Sequence, residues 1–169
     1  MWRHLEQADP QSQPTMAAYS KLSWEQMWSQ PVDQQVEDVF AYYSEQGPLI
    51  LADIEAYVGQ EPIVMEGAAF LPTLVHAWGV PPGQALFLVP TKAFQVANYS
   101  QREWVKPILD SCADPEQAFS KWMERDHRFG QGVTQQAQAM GYCTITVDGQ
   151  LDIDSIYAAV IEHFSLPEA

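Results

Sequence analysis

Three short apolar runs, each closed by turn residues and separated by helix-patterned sequence, constrain the fold of this chain more than any other feature. They lie within 62–66, 85–90 and 142–147. Apolar runs of this length read as strands buried on both faces, which is the pattern of parallel sheets. The first is Pro62-Ile63-Val64-Met65-Glu66-Gly67, and it ends in an acid and a glycine. Open α/β sheets bind their ligands at the carboxyl ends of parallel strands. Glu66 is therefore a candidate for holding a metal ion or polarising a water, against the plainer reading of an acid in a wet turn.

The sequence between the runs is helical in pattern. Residues 1–20, polar and carrying Pro10 and Pro14, read as an irregular arm. Ser23 precedes Trp24-Glu25-Gln26 as an N-cap. Val32, Val36, Val39, Phe40 and Tyr43 form the apolar stripe of an amphipathic helix. Gly47 is expected to end that helix and Pro48 to open another. Asp114-Pro115-Glu116 marks a further helix start, with Phe119, Trp122 and Met123 on one side and Lys121, Arg125 and Arg128 on the other. Gly130 and Gly132 beyond it read as a hinge. The last helix starts near Asp154. Alternating strands and helices predict one α/β domain over 1–169 with a mainly parallel sheet and helices on both faces.

A chain of 169 residues is long enough for one packed core. Its net charge of −14 excludes nucleic acid and anionic membrane as bulk partners. The few bases cluster, with Lys92, Arg102, Lys106, Lys121, Arg125 and Arg128 within one stretch. Such a patch suits a small anion such as phosphate, and equally suits salt bridging with Glu103, Glu116 and Glu124. Two cysteines and four scattered histidines make neither a disulfide framework nor a zinc spacing. With no leader pattern and no long apolar run, the cytoplasm is the expected location.

In order along the chain, Ile63-Val64-Met65-Glu66-Gly67, Leu86-Phe87-Leu88-Val89-Pro90-Thr91, Trp122 to Phe129 and Thr144-Ile145-Thr146-Val147-Asp148-Gly149 resemble segments of small P-loop kinases. These are the nucleoside- and nucleotide-kinase-like families that include chloramphenicol phosphotransferase and the zeta toxins. The resemblance covers roughly residues 30 to 165 and rests on the ordered series, since no single segment is specific. It implies a three-layer P-loop NTPase-like domain with strands near 62–66, 85–90 and 142–147 and a lid-like helical segment at 114–132. It implies ATP with Mg²⁺ as cofactor and a small-molecule phosphate acceptor as partner.

By that resemblance Glu66 is the Walker-B-type acid that holds Mg²⁺ through water, and Arg125 and Arg128 are lid arginines on phosphate oxygens. Arg102 and Lys121 are weaker versions of the same idea. Asp148 leads the exit loop near the base, although capping of its own turn is the simpler role. The departure is as informative as the match. None of the nine glycines is followed by Lys, so GxxxxGK[ST] is absent and the first strand with it. The implied enzyme is an ATP-dependent phosphotransferase that is inactive alone, and the gap left by the missing central strand is closed either by its two flanking strands meeting or by a partner chain, such as a homodimer. The alternative from another class is a non-catalytic binding or assembly module.

Overall fold

A computed structural model describes residues 2–57, 59 and 63–166, the side chains of residues 2 and 3 aside. It is predominantly helical, with nine α-helices and two strands among the described residues. The three-layer α/β architecture with a parallel central sheet is therefore not the fold of this chain.

The N-terminal stretch is ordered into α1 (Trp2–Glu6) and α2 (Pro14–Tyr19), where the sequence reads as an irregular arm. Both are pinned to α4 (Val32–Glu55) by side chains distant in sequence. The Glu45 carboxylate accepts the backbone N–H groups of Thr15 and Met16 at 3.0 and 2.9 Å. It thereby caps the first turn of α2, where a negative charge is favoured. His4 reaches Asp53 at 2.8 Å through Nε2 and Gln46 at 3.1 Å through Nδ1. Met16 of α2 is fully buried.

α3 (Trp24–Ser29) opens on the Ser23 cap, with a complete Ser23–Gln26 capping box. α4 carries the predicted stripe but does not stop at Gly47. It runs through Pro48, whose ring removes only the bond to the Ser44 carbonyl. Gly47 is buried against Leu74 of α5 (Pro72–Ala77), where a Cβ would lie 2.8 Å from a methyl carbon. The glycine is a packing residue in this helix.

Residues 63–67 form no strand, and Pro62 lies outside the described residues. Val64 is 88% exposed, and Ile63 and Met65 are exposed beside it. An apolar run becomes a strand only where a neighbouring strand satisfies its backbone, and composition does not supply that neighbour. The other two runs do pair. β1 (Leu86–Pro90) and β2 (Cys143–Val147) lie parallel, with Leu86 opposite Cys143 and Pro90 opposite Val147. The second edge of β1 carries no strand among the described residues.

Between the strands run α6 (Lys92–Tyr99), α7 (Val105–Asp110) and α8 (Pro115–Ala139). α9 (Ile153–Phe164), capped by Asp152, closes the described chain. α8 is the organising element. It starts as its sequence predicts, with Asp114 accepting from Gln117 N–H at 3.0 Å and Pro115 in the first turn. Along its 25 residues it packs on α3 through α7 and on both strands. Trp28, Val105, Cys112, Ala118, Trp122 and Met123 form one core near its start. Val75, Ala137 and Tyr142 form a second near its end.

Gly130 and Gly132 lie inside α8 and are contact points, not a hinge. A Cβ at Gly130 would meet Val89 at 2.9 Å, and one at Gly132 would meet the Phe40 ring at 2.7 Å. Phe40 cannot retreat freely, because it packs on Phe129 at 4.8 Å. Gly132→Ala should therefore destabilise by about 1–3 kcal/mol through overpacking, although alanine gains about 1 kcal/mol of helix propensity. Urea denaturation reads the net sign, and a variant as stable as the parent would refute the close α4–α8 approach.

Candidate functional site

A cavity of about 450 Å³ opens among α1, α2, α3, α4 and α8. Its walls are aromatic and apolar: Tyr19 from α2, Trp24 and Met27 from α3, and Val39, Tyr42 and Tyr43 from α4. Each residue arrives there for a local reason. Val39 and Tyr43 belong to the α4 stripe, and the Ser23 box sets the direction in which α3 presents Trp24 and Met27. Among the described residues, the single cation of the lining is Arg125 from α8.

Arg125 is held from several sides. Its Nε donates to Asp126 Oδ1 at 2.7 Å, and its Nη2 makes an ion-pair contact with the same oxygen at 2.5 Å. Its guanidinium lies over the Trp28 ring at 4.9 Å, and Trp28 in turn stacks on Trp122 at 4.6 Å. Asp126 also accepts from Gln95 Nε2 at 2.9 Å and from the Trp122 indole. Burial pushes the Asp126 carboxyl above its ordinary value, opposed chiefly by the Arg125 charge. The arrangement is a partly buried ion pair whose guanidinium is fixed in plane and position.

The cavity walls are poor in reactive groups. Burial pushes the phenols of Tyr42 and Tyr43 up, and burial together with the Asp38 carboxylate does the same for Tyr19. Tyr19 stays protonated and donates to Asp38 at 2.9 Å. The lining serines serve helix ends: Ser20 and Ser111 donate to the carbonyls of Ala17 and Ile108, and Ser23 caps α3. None of these three serine hydroxyls is paired with a general base among the described contacts.

The structure separates the residues that the sequence groups together. Glu66 lies on the exposed 63–67 segment. Arg128 points outward and bonds Glu124 and Asp33, each at 2.6 Å. Glu124 is also bonded by Lys92, and these two partners hold its carboxyl down to about 2. The i, i+4 pair of a solvated helix face is thus what Glu124 and Arg128 form. Lys121 donates to the Ser29 carbonyl at 2.7 Å, tying α8 to the end of α3. Arg102 lies over Tyr99 at 4.6 Å and borders a separate hollow of about 330 Å³ with Lys106 and Glu116. Asp148 accepts from Gln150 N–H at 2.9 Å and caps its own turn.

Of the six predicted site residues, only Arg125 reaches the cavity. The tyrosines, Trp24 and Asp126 are not legible as a group in the sequence. Adjacent helical residues do not ordinarily face each other, so the Arg125–Asp126 pair has no spacing signal. No group of three or more His, Cys, Asp or Glu suited to a metal ion is formed among the described residues. No helix among them is long and apolar enough to cross a membrane.

The fold and site define a small helical domain with one parallel strand pair and an arginine-floored aromatic cavity. No family model, curated protein or solved structure matches the chain.

Proposed function

We propose that this domain is a non-catalytic binding module that takes a small, largely apolar molecule into the cavity over Arg125. The observation that carries this reading is the lining itself. Several converging helices supply three tyrosines, a tryptophan and a methionine around about 450 Å³. A cavity of that size and composition, with few polar groups, is the usual form of a small-molecule site. Aromatic walls supply large contact area at little conformational cost, and phenol hydroxyls can orient a ligand at the rim. The P-loop kinase reading is not carried forward, because Glu66 stands on a loop and the central sheet that would present it is not formed.

A neutral aromatic probe tests the proposal. N-phenyl-1-naphthylamine should brighten on saturable binding at one site per chain, with a dissociation constant in roughly the micromolar range. Val39→Trp fills the cavity from α4 and should weaken that binding by about tenfold or more, with the helical circular dichroism retained. Absent saturation, or identical binding by the folded Val39→Trp protein, would refute the cavity as the site.

A further inference from the structure

Resting on that binding reading, we infer that the ligand is an anion: an apolar or aromatic body bearing one carboxylate, sulfonate or phosphate group that Arg125 grips end-on. A guanidinium has five N–H donors in a rigid fork. The contacts to Asp126 use the Nε–Nη2 edge. The Nη1–Nη2 end is the edge left for a ligand, and it has the spacing of an oxyanion.

Three further observations favour an anion over a neutral or cationic ligand. First, Arg125 is among the lining residues whereas Asp126 is engaged elsewhere, its Oδ2 by Gln95 and its carboxylate by the Trp122 indole. The positive member of the pair meets the cavity while the negative member is turned into protein donors. Second, the guanidinium is already ordered by Asp126 and by the Trp28 face, so a ligand need not immobilise a free arginine chain. Third, Asp38, which is bonded to the lining Tyr19, already accepts from both Tyr19 and Gln34. The acids of the −14 charge that lie farther than about 8 Å from the cavity are largely screened by salt.

The test uses two probes with one aromatic body. N-phenyl-1-naphthylamine is neutral, and 8-anilinonaphthalene-1-sulfonate adds a single sulfonate. The parent protein should bind the sulfonate at least about tenfold more tightly. Arg125→Met alone leaves Asp126 buried and unpaired, so the informative protein is the double variant Arg125→Met with Asp126→Asn, which removes both charges. It should lose the sulfonate preference, so that the ratio of its two dissociation constants falls to about one. Arg125→Lys keeps the charge without the fork and should retain only part of the preference. Equal affinity for the two probes in the parent, or a preference that survives in the double variant, overturns the anion inference and leaves the cavity reading standing. Failure of both probes to bind overturns both.

Discussion

Trp122→Ala is expected to lower the stability of this domain by about 3–5 kcal/mol, the range for removing a large buried aromatic side chain. Trp122 is 6% exposed and stacks on Trp28 at an interplanar angle of 16°. Tyr99 meets it edge-on at 5.8 Å, and Trp104 packs at 5.9 Å. Truncation opens a cavity in the core where α3, α7 and α8 join, and it also removes an indole donor from Asp126. Trp104→Ala is the control. Its side chain is 48% exposed, so its loss should be markedly smaller. The comparison is read from urea midpoints and slopes. A Trp122 deficit no larger than that of Trp104 would mean that this aromatic cluster is not the centre of the fold.

Arg125→Met should cost a comparable amount at neutral pH, about 3–5 kcal/mol, because it leaves a buried carboxylate without its cation. The pH dependence separates this cause from simple loss of packing. Burial already pushes the Asp126 carboxyl up, and Arg125 is the main group holding it down. Without Arg125 the folded-state value rises further above the unfolded one, about 3.9. A carboxyl with a raised folded-state value binds protons preferentially in the folded state. Its contribution is therefore fully present below the unfolded value and lost as pH rises through the folded one.

The deficit of Arg125→Met relative to the parent should consequently shrink as pH falls from 7 towards 4. Adding Asp126→Asn should recover most of the loss at pH 7. Glu124 runs the other way in both proteins. Its carboxyl is held down to about 2, so its contribution is present above the ordinary carboxylate range and fades as pH falls towards 2. That contribution is small, since its partners Lys92 and Arg128 are largely solvated. Denaturation of parent and variant at several pH values gives the difference directly. A deficit that stays constant or grows on acidification would rule out the unpaired carboxylate as its cause.

Local signals were legible where local physics decides. The Ser23 N-cap, the Asp114-Pro115-Glu116 start and the α4 stripe all appear where the sequence places them. Two of the three apolar runs became strands within a residue of their expected bounds. The third did not, although Ile63-Val64-Met65 is as apolar as β1, because pairing depends on a neighbour that lies elsewhere in the chain. The three glycines read as a helix end and a hinge failed for a related reason. Gly47, Gly130 and Gly132 make close contacts with Leu74, Val89 and Phe40, and no nearby residue announces those partners.

The candidate site divides along the same line. The sequence by itself placed Arg125 on an amphipathic helix, on the side opposite Trp122, in the one cationic stretch of an acidic chain. It could not separate Arg125 from Arg128, because both fit the same helical spacing. Only the tertiary structure decided that Arg128 bonds Asp33 and Glu124 at the surface while Arg125 lies over Trp28 and lines the cavity together with three tyrosines. Helical periodicity assigns a residue to a face, whereas the elements packed on that face decide whether it meets water or a cavity, and those elements come from α1 to α4, some 70 to 120 residues earlier in the chain.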